Sequence, residues 1–453
     1  MARVLVVSAE PLGPLIAGPA IRALELARVL AGSHQVTLAA PGLREPPAPG
    51  VAPLDAGFED YERLCAALSS SDVVVAQALP VRLLSRLPDL GTRLIADLYN
   101  PTVFEVLEAG SAKATAARRR QQRQVTRSAG AMIAAASRVI CASESQRDMW
   151  LGMMAALERI PLEAYDRDPT FRSFVDIVPF GLPSSSPETD GGDPIREMFP
   201  QVADDDIVLL WGGGVWNWLD PQTAVEAIAI VDGRRGNRPP VHLAFMGVGR
   251  PATTELDAMA ATREMLALLS ASGLEGSRVH VNRGWVPYED RASWLLAADA
   301  ALSAHHDHLE SRLAFRTRIL DALWADLPVV ATSGDELSSL VAASGTGIIA
   351  PPGDPGALAD AIEALVDDPE AMEMARERIG TLRPSWTWEQ CAAPLVRWCD
   401  EPDGGLAPDR RLLRRLTISQ YPGIVAETAE TDGWGGAVRR LMTNFRRALG
   451  RNG

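Results

Sequence analysis

Short apolar runs alternate with longer segments whose apolar residues recur at helical spacing, over most of the chain. The first apolar runs are VLVVS (4–8), VTLAA (36–40), VVVA (73–76), LIADL (94–98) and VICAS (139–143). The helical patterns between them include AIRALELARVLA (20–31) and YERLCAALS (61–69). Strands that are apolar on both faces and alternate with helices are typical of a parallel sheet covered by helices on both sides. The alternation therefore predicts an α/β fold.

A segment rich in Ser, Pro, Gly and Asp, SSSPETDGGDP (184–194), interrupts the alternation and is typical of a linker. The later runs are IVLLWGGG (207–214), VHLAFMG (241–247), VHVNRGWV (279–286), AALSAH (300–305), PVVAT (328–332) and GIIA (347–350). Two series of this kind predict two doubly wound, Rossmann-like domains that face each other across a cleft. The predicted units are a first domain at 1–183, a linker at 184–200, a second domain at 201–384 and a C-terminal segment at 385–453. That last segment is too short to bury a core alone, so we expect its helices to pack back across the two domains.

The composition excludes several classes of protein. Hydrophobic residues make up 47% of the chain and charged residues 23%, as in ordinary globular proteins. The formal net charge of −14 disfavours general binding to nucleic acid. No apolar run approaches the roughly 18 residues of a membrane-spanning helix, and the N-terminus reads as a buried strand rather than a secretory signal. The four scattered cysteines predict reduced thiols in a cytoplasmic protein.

Two basic segments stand out against the acidic total. Residues 111–130 carry Lys113 and several arginines without an acidic residue, and the segment 437–453 places apolar residues on one helical face among five arginines. Two interpretations of these basic segments are open. One is that each is a solvent-exposed helix face, and the other is that each contacts anionic lipid or a lipid-linked substrate on the inner face of the membrane.

Two glycine loops precede helices at positions where a ligand could bind between the domains. Gly212, Gly213 and Gly214 follow an apolar run and precede VWNWLDP, and GPLIAG (13–18) directly precedes Pro19 and a helical pattern. A close backbone and a helix N-terminus suit a diphosphate, although a tight structural turn explains a glycine run as well. Neither GxGxxG nor GxxxxGK[ST] is present, which argues against a dinucleotide fingerprint and a P-loop.

The stretch from 303 to 341 concentrates charge at a predicted helix start. Arg312, Arg316 and Arg318 are followed by Asp321 one turn later. Arginine binds phosphate through two hydrogen bonds, and a carboxylate accepts ribose hydroxyls. Lys113 is the only lysine, so a phosphate site in the second domain depends on arginine. We interpret the nearby histidines as a polar loop and the acidic triplet 204–206 as a solvated turn, so no metal site is expected.

These motifs together resemble glycosyltransferase family 4, the retaining, nucleotide-sugar-dependent enzymes of the two-domain GT-B fold. The resemblance covers roughly residues 1–380, and it rests on GPAIRALELARVLA, CASESQRDMWLG, IVPFGLP, GGGVWNW, GWVPYEDRASWLLAADAALS, FRTRILDALWADLPVVAT and GTGIIAPPGDPGALADAI. It implies transfer of a hexose from a nucleoside diphosphate sugar to a saccharide, lipid-linked or small-molecule acceptor. It also implies that no metal or other cofactor is needed, because the leaving diphosphate can accept the proton.

The resemblance also implies roles for individual residues, and the chain departs from the family pattern at some of them. Asp321 occupies the place of the second Glu of the family's Glu-x(7)-Glu motif, which holds the donor ribose. The first Glu falls on Leu313, and Glu310 is the expected spatial substitute. The family's Arg and Lys pair for the diphosphate is absent, so Arg316 and Arg318 are expected to supply the charge together with the glycine amides.

The remaining site predictions follow from the same resemblance. The expected catalytic residues are Asp97, Glu310 and Arg316. The expected donor-binding residues, with the nucleobase against the 284–287 loop, are Gly18, Gly213, Gly214, Trp216, Asn217, Trp218, Trp285, Val286, Arg316, Thr317, Arg318 and Asp321. The expected acceptor-side residues are Arg22, Asp97, Tyr99 and Asn100. The departures leave open a second reading, a catalytically degenerate GT-B partner subunit that binds without turnover.

Overall fold

The computed structural model describes residues 1–109, 115–189, 191–249, 259–401 and 404–416. In this part of the chain the first domain holds a seven-stranded parallel sheet with the order β3-β2-β1-β4-β5-β6-β7. Its strands are β1 Arg3–Val7, β2 Gln35–Ala40, β3 Val51–Asp55, β4 Val73–Ala76, β5 Arg93–Asp97, β6 Arg138–Cys141 and β7 Val175–Ile177. The five strands expected from the sequence are confirmed, whereas β3 and β7, the two edge strands, were missed.

Helices cover both faces of this sheet. They are α1 Gly18–Ala31, α2 Tyr61–Ser69, α3 Val81–Leu84, α4 Leu87–Leu90, α5 Thr102–Ala109, α6 Thr115–Ala135, α7 Glu144–Ala156 and α8 Leu162–Arg167. Local sequence explains where some of them begin: Pro19 lies in the first turn of α1, and the Ser143 side chain accepts a hydrogen bond from the Gln146 amide at the start of α7. The start of α1 therefore lies directly after the first glycine loop, as the sequence predicts.

The second domain repeats the arrangement with a six-stranded parallel sheet of order β10-β9-β8-β11-β12-β13 in the described residues. Its strands are β8 Ile207–Trp211, β9 Val241–Phe245, β10 Val279–Val281, β11 Ala300–Ser303, β12 Val329–Thr332 and β13 Gly347–Ala350. All six were expected from the apolar runs. Because β8 and β11 are neighbours at the centre of the sheet, the loops that follow them meet at one edge.

The helices of this half begin at well-defined caps. They are α9 Pro194–Met198, α10 Pro221–Arg235, α11 Ala260–Ser272, α12 Arg291–Leu296, α13 Leu309–Leu313, α14 Thr317–Trp324, α15 Glu336–Ser344, α16 Pro355–Val366 and α17 Pro369–Leu382. Aspartates 193, 220, 335, 354 and 368 cap five of them. Since α9 lies within residues 184–200, the predicted linker ends in a short helix.

The chain then returns to the first domain, through a 3₁₀ helix at Arg383–Trp386, α18 Trp388–Cys391 and α19 Ala393–Asp400. The Leu182 amide donates to the Trp386 carbonyl at 2.7 Å, and the Trp388 amide donates to the Leu182 carbonyl at 3.0 Å. A Cβ on Gly181 would lie 2.5 Å from the Trp388 backbone, so only glycine permits this approach. The predicted crossover is confirmed for the described residues, while the basic segment 437–453 lies outside them, as does Lys113.

None of the described helices combines the length and the apolar character that a membrane-spanning segment requires.

A buried ion pair joins α1 to β5 beneath the carboxyl edge of the first sheet. The Arg22 Nε donates to the Asp97 Oδ2 at 2.8 Å and the Arg22 Nη2 to the Asp97 Oδ1 at 2.8 Å. Both side chains are buried, and Arg22 also donates to the carbonyls of Val178 and Pro179. The sequence predicted that Asp97 and Arg22 face a substrate, but the structure pairs them with each other, because a charge inside a fold needs a partner.

We predict that Asp97→Ala destabilises the first domain by about 3–5 kcal/mol, because it leaves the Arg22 charge buried and unpaired. Urea unfolding followed by circular dichroism measures this loss. The double variant Arg22→Met/Asp97→Leu is expected to lose less stability than the single variant, and Asp72→Ala, which breaks the exposed Arg3–Asp72 pair, far less. A fully stable Asp97→Ala protein would contradict this structural role.

Candidate active site

A cleft of about 170 Å³ lies between the two domains, at the edge where the strands of both sheets end. This is the place where open parallel sheets bind ligands. The first domain contributes apolar residues and glycines: Ile16, Ala17, Gly18, Ile21, Phe180, Gly181 and Pro183. The second domain contributes Gly212, Gly213, Gly214, Trp216, Met246, Gly247, Trp285, Val286, Tyr288, Arg291, Thr317, Arg318, Leu320 and Asp321, and the crossover adds Trp388.

The glycine loop after β8 forms one wall of the cleft, and its conformation explains two of the three glycines. Gly213 has φ +76°, a conformation that side chains rarely adopt. A Cβ on Gly214 would lie 3.1 Å from the Cζ3 atom of Trp285, so glycine lets that ring lie against the loop. The loop thus exposes backbone to the cleft next to an aromatic side chain.

Arg318 on α14 brings a positive charge to the same wall. Its Nη2 donates to the Gly214 carbonyl at 2.8 Å, and its guanidinium lies 5.1 Å from the centre of the Trp211 ring. Within the described residues no carboxylate lies at ion-pair distance from it, and its buried Nη1 has no hydrogen-bond partner there. Burial, which is the largest cause, and Arg316 lower the pKa of Arg318 to about 9, so it remains a cation at neutral pH. A fixed cation without a carboxylate partner among the described residues, beside the backbone of the glycine loop, suits an anionic ligand.

Arg316 and Glu310 do not reach the cleft. The Arg316 Nη1 donates to the Glu310 Oε1 at 3.1 Å, and the Nη2 donates to the Glu310 Oε2 at 2.7 Å. Arg316 is 6% exposed and Glu310 2% exposed. We expected Arg316 to contact a diphosphate and Glu310 to replace the first Glu of the family motif, but the structure pairs the two side chains with each other at the start of α14. In this arrangement neither Arg316 nor Glu310 lines the cleft, so neither is placed to contact a donor directly.

The predicted acceptor-side residues lie behind the wall of the first domain. The Arg22 guanidinium lies 4.8 Å from the centre of the Tyr99 ring and 5.4 Å from that of Phe180, and Tyr99 is buried. Burial raises the pKa of Tyr99 well above its usual range. Of this cluster only Phe180 lines the cleft, and Asn100, which is half-buried, does not. The aromatic cluster supports the wall instead of presenting polar groups to a ligand.

Most of the predicted donor-binding residues do come together. The predicted residues that line the cleft are Gly18, Gly213, Gly214, Trp216, Trp285, Val286, Thr317, Arg318 and Asp321. Asn217 does not line it; its Nδ2 donates to the Glu108 carbonyl of the first domain at 3.3 Å. Trp218 stacks on Trp216 with ring centres 5.6 Å apart and so supports the lining residue from behind.

Several lining residues were not predicted from the sequence. Tyr288 and Arg291 lie within the block GWVPYEDRASWLLAADAALS, whose match to the family pattern was the one signal that could have drawn attention to them. The Arg291 Nε donates to the Asp321 Oδ1 at 3.3 Å. Phe180 and Trp388 pack together with ring centres 5.2 Å apart. Because the two residues are 208 positions apart in the sequence, no local pattern could have predicted their contact.

The histidines after β11 stabilise the loop in which they lie. The His308 Nδ1 accepts from the Ser311 amide and caps α13, and the His306 Nδ1 lies 3.5 Å from the Asp220 Oδ2. Burial lowers the pKa of His305 to about 3, which keeps its ring neutral. In the described residues no group of three or more His, Cys, Asp or Glu side chains could hold a metal ion. In the acidic triplet, the Asp206 Oδ2 lies 3.0 Å from the His242 Nε2, at the opposite end of β9 from the cleft.

Comparison with known proteins agrees with this architecture. Residues 206–368 match the family model of Glycosyl transferases group 1. No curated protein matches the sequence. Three similar solved structures are HepE from Anabaena in complex with UDP and glucose (14% identity, TM-score 0.62, 88% of this chain and 100% of that chain), sucrose-phosphate synthase from Thermosynechococcus elongatus (19%, 0.58, 88% and 98%), and WaaG, a glycosyltransferase involved in lipopolysaccharide biosynthesis (15%, 0.58, 89% and 100%).

At these identities the similarity of the solved structures establishes the fold, and the family model covers the second domain, which contributes the charged wall of the cleft. The predicted fold class is confirmed. The protein has the GT-B fold, and the match of residues 206–368 to the family model of Glycosyl transferases group 1 supports a nucleotide-sugar-dependent glycosyltransferase.

Proposed function

We propose that the protein transfers a hexose, with retention of configuration and without a metal ion, from a nucleoside diphosphate sugar to a saccharide, lipid-linked or small-molecule acceptor. The observation that carries the proposal is Arg318, a cation with no carboxylate partner among the described residues, held against the Gly212–Gly214 loop in the interdomain cleft. The UDP and glucose of the HepE complex lend support for this class of donor.

In the proposed complex, the diphosphate lies against the glycine loop and Arg318. The ribose hydroxyls donate to Asp321, whose side chain lines the cleft and is 40% exposed. The nucleobase lies against Trp285 and Val286, which form part of the same wall. This order places the anionic part of the donor on the one wall that carries a positive charge.

The chemistry requires stabilisation of the charge that develops on the leaving diphosphate. A preorganised cation and backbone N–H groups stabilise such charge most strongly where water is excluded. Arg318 is held in place by the Gly214 carbonyl and by Trp211, so it is oriented before a donor binds. The diphosphate then accepts the acceptor's proton, and neither a metal ion nor a separate base is required in this proposal.

A catalytically degenerate binding subunit is the second candidate. It is favoured by the buried pairs Arg22–Asp97 and Arg316–Glu310, because they neutralise the two carboxylates predicted to act in catalysis. Such a protein would still bind the donor through Arg318 and Asp321.

Titration calorimetry with UDP-, dTDP- and GDP-sugars, combined with product assays on an acceptor panel, separates the two candidates. The transferase is expected to bind at least one donor and to form a glycoside at the same rate with and without EDTA. Binding without transfer or hydrolysis would favour the degenerate subunit. A strict requirement for Mn²⁺ would contradict the metal-free mechanism.

We predict that Arg318→Met raises the Kd of the preferred nucleoside diphosphate about 10–100-fold, because a hydrogen bond to a charged group contributes about 1.5–3 kcal/mol. The nucleoside without phosphate should bind both proteins equally. Asp321→Ala, in contrast, should weaken the nucleoside and its diphosphate alike.

The matched control is Arg312→Met, which removes an exposed arginine of the same segment and should leave both affinities unchanged. If Arg318→Met weakened the nucleoside as much as the diphosphate, the phosphate assignment would be wrong.

We further propose that the protein works in the cytoplasm, in contact with the anionic inner face of the membrane. Helix α6 supports this idea, because its residues Thr115 to Arg127 include no acidic side chain and Arg119 and Arg123 are exposed. Several arginines on one helix favour an anionic surface.

We predict that Arg119→Glu/Arg123→Glu reduces co-sedimentation with phosphatidylglycerol vesicles at least several-fold, since each lost arginine removes about 1 kcal/mol of attraction and each added carboxylate repels the surface. Phosphatidylcholine vesicles and added salt provide the controls. Absence of wild-type binding to anionic vesicles would refute the membrane contact.

A further inference from the structure

Arg291 is the first residue of α12, and it is fixed in the cleft wall by two aromatic rings. Its guanidinium lies 3.7 Å from the centre of the Tyr288 ring and 4.6 Å from that of Trp324. The Nη1 donates to the Tyr288 carbonyl at 2.7 Å, and the Nη2 donates to the Tyr288 hydroxyl at 3.1 Å. A cation that is stacked and hydrogen-bonded in this way has one orientation.

This orientation directs the remaining nitrogen of Arg291 to the donor side of the cleft. The Nε donates to the Asp321 Oδ1 at 3.3 Å, which leaves the Asp321 Oδ2 without a bond to Arg291. Asp321 lines the cleft, and it was assigned to the donor ribose above. The arginine is only 8% exposed, whereas the Asp321 side chain is 40% exposed, so the pair has its buried end at Arg291 and its accessible end at the carboxylate.

We propose that Arg291 is a positioning residue for the donor nucleotide: it orients Asp321 toward the ribose hydroxyls. The inference rests on the proposed function, and it adds a residue that was not among the site residues predicted from the sequence. Arg291 does not touch the donor in this proposal, and its effect passes through Asp321.

The charges around the pair determine the direction of the pH dependence. Burial raises the pKa of Asp321, and Arg291 and Arg318 oppose this shift. On the other side, Glu25 of α1 faces Arg291, and Glu25 is paired with Arg28 at 2.6 Å and lies near Glu389. Loss of the Arg291 charge therefore raises the pKa of Asp321 further. Since an ionised carboxylate accepts two hydroxyl hydrogen bonds, the loss of nucleotide affinity on acidification should then begin at a higher pH.

The experiment measures the Kd of uridine diphosphate, or of thymidine or guanosine diphosphate if one of these binds the wild-type protein more tightly, between pH 5.5 and pH 8.5. For Arg291→Met the Kd is expected to rise severalfold, and by a larger factor at the acidic end of this range than at pH 8. Arg291→Lys, which keeps the charge, should retain the wild-type pH profile with a Kd raised a few-fold. Asp321→Asn should bind weakly, with only the pH dependence that the terminal phosphate of the nucleotide contributes, and adding Arg291→Met to it should change nothing further.

Two further variants keep the test decisive. Arg291→Gln provides the same neutral comparison should the Met variant fail to fold, and Arg234→Met, which removes an arginine paired with Asp360 on the far side of the domain, should match the wild type. An Arg291→Met effect of equal size at every pH, or one that persists with Asp321→Asn, would overturn the positioning role. Failure of the wild-type protein to bind any of the three diphosphates would instead refute the proposed function, and this inference with it.

Discussion

The pairing of buried arginines with carboxylates decides which charges reach the interdomain cleft. Removing a charge from water costs several kcal/mol unless a partner and hydrogen bonds offset the loss. Arg22 forms an ion pair with Asp97, and Arg316 forms one with Glu310. Both pairs are buried in the fold. Arg318 has no carboxylate at ion-pair distance among the described residues, so its charge is available at the glycine loop. The electrostatics of the site follow from this difference.

The two walls of the cleft consequently differ in character. The first domain contributes Ile16, Ile21 and Phe180, whereas the second domain contributes Arg318 and Asp321. The walls are held together by backbone contacts such as the Tyr288 amide, which donates to the Pro14 carbonyl at 3.0 Å. An anionic ligand therefore has one side on which to bind, and the apolar wall restricts water around it.

Local features of the sequence predicted the fold well. The strands at the centres of both sheets were recognised because they are apolar on both faces, whereas β3 was missed because Pro53 interrupts it and four of its five residues are partly or fully exposed. Gly213, Gly214 and Trp285 were placed correctly in the cleft, since the loops that follow β8 and β10 both leave parallel strands at their carboxyl ends, which lie at one edge of the sheet. These properties depend on residues that are close together in the chain.

The charge pairs could not be predicted in the same way, because each depends on a long-range contact. Arg22 and Asp97 are 75 positions apart, and no local pattern shows that the carboxylate is already occupied. Arg291 reads from the sequence as an ordinary residue of a helix, and its importance appears only where α12 brings it to Asp321, 30 positions later. The sequence thus identifies the residues of the cleft wall better than it identifies which charges remain free there.

A crystal structure of the protein soaked with uridine diphosphate tests the central claim most directly. The account predicts that the phosphate oxygens lie within hydrogen-bond distance of the Arg318 guanidinium and of the amides of the Gly212–Gly214 loop, with the Arg316–Glu310 pair intact. A diphosphate bound to Arg316 after rupture of that pair, or bound outside the interdomain cleft, would contradict it.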